Sequence, residues 1–253
     1  MTVPLHPPAH ARFARLDALR GLALVWMTFY HLAFDLNHFG LWRQDFLRDP
    51  FWTLQRTAIV TLFLLCAGLG QSVAGQQGVP CQRFLRRWTQ VAACALLVSA
   101  GSYLLFPLSF IHFGVLHALA VMLMVARLSV HWRAGVLLLA GAGALALPSL
   151  VQLLPAGTLT EALNGRSHNW LGLVTRRPYT EDYVPVFPWL GVVWWGLALG
   201  RWLLARPSQP LAGPLPAGAA PLAWLGRHSL SYYMLHQPVM ILALMVWQRY
   251  FSS

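Results

Sequence analysis

Four ionisable side chains, Arg20, His31, Asp35 and His38, stand in one apolar run of this sequence. The run opens as RGLALVWMTFYH, residues 20 to 31, a composition suited to a membrane-crossing helix. At about 100° per residue, Arg20, Leu24, Met27, His31, Asp35 and His38 project from one side of that helix, within roughly 80° of arc. An ionised Arg or Asp at the bilayer centre costs about 2.5–3.5 kcal/mol even on lenient insertion scales. Taken singly, Arg20 reads as a snorkelling flank, His31 as a hydrogen-bonded core group, and Asp35 and His38 as interfacial residues. Taken together, their alignment predicts a wet, lined cavity.

The spacing carries chemistry. Eleven residues of helix rise about 16 Å, which puts Arg20 at the cytoplasmic mouth and His31 near mid-membrane. That separation suits a long donor whose phosphates stay outside while its reactive end reaches inward, and coenzyme A has that shape. Arginine clamps phosphate because its planar fork gives bidentate hydrogen bonds. Histidine, with a near-neutral pKa, is a natural general base. Asp35, one turn on, is placed to hold an imidazole tautomer, as the third member of a triad does. His236, inside the last apolar stretch with Tyr232 and Tyr233 about a turn before it and Pro238 after it, is the next candidate.

Other groups have structural and functional readings side by side. Arg56 opens the second apolar stretch, as a flank or as a group that holds an acceptor or pairs with Asp35. His112 and His117 in SFIHFGVLHALA are five residues apart; on one helix they would diverge by about 140° and not share a site. Asp182 precedes a helix start, either favoured there by the helix dipole or contacting a cationic acceptor. Arg86 and Arg87 join Arg20 as candidate phosphate-binding groups. No zinc, Walker, dinucleotide or nucleophile-elbow pattern occurs, so no metal is expected, and the lack of Lys removes Schiff-base chemistry.

The elements that must position these residues follow from composition. The 253 residues are 57% hydrophobic and 10% charged, against about a quarter charged in soluble domains. Seven stretches reach the length of about 20 residues that crosses a hydrocarbon core, near 18–36, 56–74, 88–106, 110–127, 134–154, 184–205 and 229–248. The expectation is all-α: one polytopic membrane bundle of about seven transmembrane helices forming a single domain over 1–253. Residues 1–14 read as a flexible cytoplasmic tail, 155–183 as an outer loop, and 206–222, rich in Pro, Gly and Ala, as a cytoplasmic linker. The net charge of +11 comes from arginines, among them Arg12, at helix ends and in short loops. Their modest excess on one side predicts a cytoplasmic N-terminus and an integral membrane protein rather than a nucleic-acid partner. The three cysteines show no disulfide or metal-binding spacing.

Several motifs resemble one family. RLDALRGLALVWMTFYH is similar to the first-helix signature of transmembrane acyltransferases, an arginine and a histidine separated by ten residues. TAIVTLFLLCAGLGQSVA, FGVLHALAVMLMVARL, DYVPVFPWLGVVWWGLALGR and LGRHSLSYYMLHQP resemble successive segments of the heparan-alpha-glucosaminide N-acetyltransferase catalytic-domain family, in its bacterial branch. The likeness runs from about residue 12 to 240. It implies transfer of an acetyl group from cytoplasmic acetyl-CoA, as donor substrate, to an amine or hydroxyl of a sugar or envelope glycan across a bacterial inner membrane. Arg20 and His31 match the arginine–histidine motif; the amino-sugar enzymes often place Asn where His31 stands. Their catalytic histidine lies in the following loop, which His38 and Trp42 match more loosely, so the base is His31 or His38. On the reading as an acetyl-CoA-dependent acyltransferase, to which the residue analysis and the resemblance both lead, His31, His38, Asp35 and His236 are expected to be catalytic, and Arg20, Arg86 and Arg87 to bind the donor. Arg56, His112, His117, Asp182 and Tyr233 are the candidate acceptor-binding residues on the same reading. The superfamily can dimerise, so a homodimer is among the expected assemblies. The competing reading is a proton-coupled transporter that uses His31, Asp35 and His236 as its relay.

Overall fold

The computed structural model describes residues 13–208 and 210–251; residues 1–12 of the expected tail, Arg12 included, lie outside them. The described residues form nine α-helices and no β-strand. These are α1 Ala14–His38, α2 Pro50–Gln76, α3 Cys81–Leu105, α4 Val115–Leu128, α5 Ala134–Val151, α6 Thr158–Asn164, α7 Val186–Ala205, α8 Ala220–Arg227 and α9 Ser229–Phe251, with a 3₁₀ turn at Asn169–Leu171. Each of the seven apolar stretches holds a helix. Hydropathy gave no sign of α6 and α8. Helix α6 lies within 155–183, and α8 begins at Ala220, inside 206–222.

Four helices, α2, α3, α5 and α9, are long and apolar enough to cross a membrane. Helix α1 has 25 residues, about 37 Å of rise, and differs from those four in its polar stripe. Large apolar side chains are widely exposed on α3, α5 and α9, including Leu96, Leu97, Leu104, Leu139, Leu235, Val239 and Leu242. A surface of that kind is adapted to lipid rather than water, and the protein is an integral membrane protein.

The chain divides into two compact units, with the boundary inside α2 between Phe63 and Leu64. In the unit of residues 64–210, α5 packs along α7, and Val130, Leu137, Leu197 and Ala198 form a buried cluster with Trp194 against it. Trp88 on α3 donates its indole N–H to the Ala120 carbonyl of α4 at 2.8 Å. Helix α4 starts at Val115, five residues later than the apolar stretch at 110–127. Gly114 interrupts the run, and the Asp182 carboxylate accepts the Val115 N–H at 2.8 Å. His112 therefore lies in a loop before α4, and the helical angle between it and His117 does not apply.

In the unit of residues 13–63 and 211–251, α1 packs on α8 and α9, and the first half of α2 closes the core. Leu24, Met27, Tyr30, Ala33, Phe46, Trp52 and Ile59 form that core. Helix α8 lies so close to α1 that a Cβ on Gly21 would overlap the Leu222 backbone, and one on Gly226 the Asp17 backbone. Glycine is required at both positions for the close approach. Arg15 adds a hydrogen bond from its Nε–H to the Pro214 carbonyl at 2.8 Å. Helices α1 and α9 run in the same direction, since contacts made by residues 28, 31 and 35 of α1 fall on 232, 236 and 237 of α9.

Candidate active site

Three polar rungs join α1 to α9. In the first, Thr28 spends its hydroxyl hydrogen on the Leu24 carbonyl at 2.8 Å, so the Tyr232 hydroxyl donates to Thr28 Oγ1 at 2.7 Å. In the second, His31 Nδ1 and His236 Nε2 lie 2.8 Å apart, with rings nearly parallel at 22°. In the third, the Gln237 amide donates to Asp35 Oδ1 at 2.8 Å.

The central rung has a definite proton order. His236 Nδ1 lies 2.8 Å from the Tyr233 carbonyl one turn back. A carbonyl only accepts, so that nitrogen carries the hydrogen. In neutral His236, Nε2 is then a bare acceptor and takes the hydrogen from His31 Nδ1. His31 Nε2 is left with a free lone pair. The chain Tyr233 C=O, His236, His31 thus fixes one tautomer and aims basicity at a single atom. The arrangement is sheltered: His236 is 8% exposed, Tyr232 stacks on its ring at 5.8 Å, and the Tyr30 ring meets the His31 edge. Pro238, inside α9, lacks the N–H that would bond the Met234 carbonyl, which loosens the turn carrying the two α9 rungs.

Asp35 is 3% exposed. Its Oδ2 and the Oε1 of Gln237 are both buried, and neither accepts a hydrogen bond from the protein. Asp35 therefore pairs with Gln237, while the orienting partner of His31 is His236. The remaining expected residues fall as follows. His38, the last residue of α1, is exposed and sits edge-on to Phe39. Arg56 is half-buried on the face of α2 that also carries Trp52 and Ile59, and it makes no ion pair with Asp35. Arg20 donates to Asp17 Oδ1 at 3.0 Å on the first turns of α1. Arg86 and Arg87 lie on an exposed stretch of α3 in the other unit.

His112, His117 and Asp182 belong to a separate network in the unit of residues 64–210. Gly114 N–H points to His117 Nδ1 at 3.3 Å, so His117 donates from Nε2 to Ser99 Oγ at 3.0 Å. Ser99 in turn donates to the Ile111 carbonyl at 2.6 Å. His117 has both ring nitrogens satisfied by the chain. His112 Nε2 contacts Asn169 Oδ1 at 3.2 Å, and Tyr183 donates to the Asn169 carbonyl at 2.6 Å. Burial pushes the Tyr183 phenol up to about 12, against the opposing pull of the Arg177 guanidinium. Asp182 accepts at the N-terminus of α4, where the helix dipole favours a carboxylate. These hydrogen bonds tie the loop before α4 and the start of α4 to Ser99, Asn169 and Asp182.

Thr28 and Gln237 are the two members of the α1–α9 ladder that sequence reasoning passed over. Thr28 lies three residues before His31, on the edge of the polar stripe. Gln237 is an amide within an apolar helix next to a histidine, and that incongruity was its signal.

An all-helical membrane protein with a sheltered pair of hydrogen-bonded imidazoles between two of its helices is the class that this fold and site define. The chain belongs to the family described as heparan-alpha-glucosaminide N-acetyltransferase, catalytic, whose model matches residues 12–238. No curated protein and no solved structure matches the chain. The family makes it a membrane acetyltransferase.

Proposed function

We propose that the protein moves an acetyl group from cytoplasmic acetyl-CoA to an amine or hydroxyl of a sugar or envelope glycan on the extracytoplasmic side of a bacterial inner membrane. The observation that carries the reading is the bare Nε2 of His31 at the end of the Tyr233–His236–His31 chain. Acetyl-CoA supplies an activated thioester carbonyl. His31 Nε2 takes the proton from the acceptor amine or hydroxyl as the new C–N or C–O bond forms. The C–S bond breaks, and the proton passes from His31 to the departing thiolate, so the imidazole returns to its starting tautomer. His236 and the Tyr233 carbonyl hold the ring in place and stabilise it while it is protonated.

The donor end fits the residues present. Arg15, Arg20 and Arg227 lie where α1 and α8 approach one another, around Asp17, Gly21 and Gly226. Arg20 spends one nitrogen on Asp17 and keeps further N–H donors for a phosphate. The rise of about 16 Å from Arg20 to His31 matches a donor that is bound by its phosphates and reacts at its far end. The shared direction of α1 and α9 supports the topology. Two parallel spans need an odd number of crossings between them, as seven spans from a cytoplasmic N-terminus provide.

Calorimetric binding of acetyl-CoA to purified protein in detergent tests this reading. Wild type and His31→Ala are expected to bind with similar affinity, and Arg20→Ala to bind at least tenfold more weakly. Absence of binding to folded wild type would contradict the donor assignment and turn attention to proton-coupled transport.

A further inference from the structure

In the unit of residues 64–210, one end of the helices carries charge of a single sign. Arg83, Arg86 and Arg87 stand on the first turns of α3, Arg127 on the last turn of α4, and Arg201 and Arg206 at the end of α7. Contacts hold these ends together. Arg127 Nη2 donates to the Val79 carbonyl at 2.6 Å and its guanidinium lies over the Phe84 ring, while Arg201 donates to the Trp132 carbonyl. Carbonyls and aromatic rings do not neutralise a guanidinium. The sequence holds no Asp or Glu from 50 to 160 or from 183 to 253, so the acids of this unit are Glu161, Glu181 and Asp182. The last two bond to Ser109 and Val115, at the opposite ends of α3 and α4.

The faces of α3 add a second observation. Its buried residues Phe84, Val91, Ala95 and Ser102 lie on one side. Arg86, Ala93, Leu97 and Leu104 lie on the other, within about 40° of arc at 100° per residue, and all four are exposed. Arg83, also exposed, flanks them at about 60°. Among the described residues, no side chain pairs with the guanidinium of Arg83 or Arg86. From Arg86 to Leu97 the helix rises about 16 Å, close to half of a hydrocarbon core of about 30 Å. One exposed face therefore presents cations at its head and apolar side chains through the depth of one leaflet.

We propose that this face of α3 binds an anionic phospholipid of the phosphatidylglycerol class, with its phosphodiester at Arg83 and Arg86 and an acyl chain along Ala93, Leu97 and Leu104. Helix α3 is long and apolar enough to cross a membrane, so lipid headgroups stand at the level of its first turns. Guanidinium groups bind phosphate oxygens by charge-assisted, often bidentate, hydrogen bonds, and basic residues beside a span are drawn to anionic headgroups. A zwitterionic lipid carries an ammonium next to its phosphate, which the surrounding arginines repel. An acidic protein segment would answer the charge but not the apolar length of the face. The inference goes beyond the acetyl-transfer reading and does not depend on it, since the donor arginines of that reading, Arg15, Arg20 and Arg227, belong to the other unit.

The test follows the fluorescence anisotropy of an acyl-chain-labelled phosphatidylglycerol titrated with the full chain in detergent. The competitors are unlabelled phosphatidylglycerol, phosphatidylcholine with the same acyl chains, and inorganic phosphate. For wild type, phosphatidylglycerol is expected to displace the label at least tenfold more effectively than phosphatidylcholine, and inorganic phosphate to displace none. The double variant Arg83→Gln, Arg86→Gln is expected to bind the labelled lipid at least tenfold more weakly, the order that two arginines near a membrane surface contribute. The double variant Arg43→Gln, Arg48→Gln removes the same charge from exposed positions of the other unit and is expected to bind within twofold of wild type. Unfolding temperatures equal to wild type in phosphatidylcholine micelles report that both variants are folded. Equal competition by the two lipids, displacement by inorganic phosphate, or equal losses in the two double variants would overturn the inference. A matching tenfold loss of acetyl-CoA affinity in Arg83→Gln, Arg86→Gln would overturn it too, by returning these arginines to the donor.

Discussion

His31 is defined by a hydrogen-bond chain rather than by its own environment alone. A carbonyl at one end dictates a lone pair at the other, through two imidazoles separated by 205 residues in sequence. Removing the base with His31→Ala is expected to lower turnover by about 10²–10⁴-fold, the usual span for a general base. His236→Phe removes the acceptor that fixes the tautomer; we expect a smaller loss, on the order of tenfold, and an altered pH–rate profile. His236→Gln, whose amide oxygen can accept the His31 Nδ1 hydrogen, should restore part of the rate, and a Gln variant no better than Phe would contradict the positioning role. Away from the membrane spans, the Tyr183 phenol ionises at about 12 when folded and near 10 when unfolded. Its contribution to stability is therefore complete below pH 10 and lost as pH rises toward 12. Thermal unfolding of Tyr183→Phe should show a shallower decline across that window than wild type.

At the scale of elements, legibility in the sequence followed chemistry that is local. The α1 stripe was visible because a 100° turn per residue aligns Arg20, His31 and Asp35 regardless of what surrounds them. His236 was visible as a histidine in an apolar run. The pairing was not visible: Asp35, one turn from His31, was the nearer candidate to orient it, yet a residue on α9 does so, and only tertiary packing brings the two together. The start of α4 departs from the apolar pattern for a similar reason. Phe110, Ile111, Phe113 and Val115 look like the beginning of a helix, but the helix waits for a cap from Asp182, 67 residues later. Helix α8 escaped hydropathy because it is eight residues long and follows a Pro- and Gly-rich approach, yet it packs tightly on α1. Gly226→Leu should force α8 away from the Asp17 backbone and cost about 1–3 kcal/mol, read as a lowered unfolding temperature. Asp182→Ala should cost about 0.5–2 kcal/mol through the lost cap, with acetyl-CoA affinity unchanged; a selective loss of acceptor binding in that variant would return Asp182 to the active site.

At the scale of the whole molecule, membership of the acetyltransferase family and the apolar helices describe a membrane acetyltransferase. The parallel course of α1 and α9 predicts termini on opposite sides of the membrane. A C-terminal periplasmic reporter such as alkaline phosphatase should be active and a cytoplasmic reporter at the same position silent; the reverse would overturn the orientation. The α1–α9 ladder holds both paired polar groups and, on Asp35 and Gln237, buried oxygens with no partner. The most direct measurement of the central claim is release of CoA thiol from acetyl-CoA by the purified protein in proteoliposomes supplied with D-glucosamine, comparing wild type with His31→Ala. Acceptor-dependent release by wild type is expected, with a loss of about 10²–10⁴-fold in His31→Ala and acetyl-CoA affinity preserved. Equal release by the two proteins, or none by wild type, would contradict it.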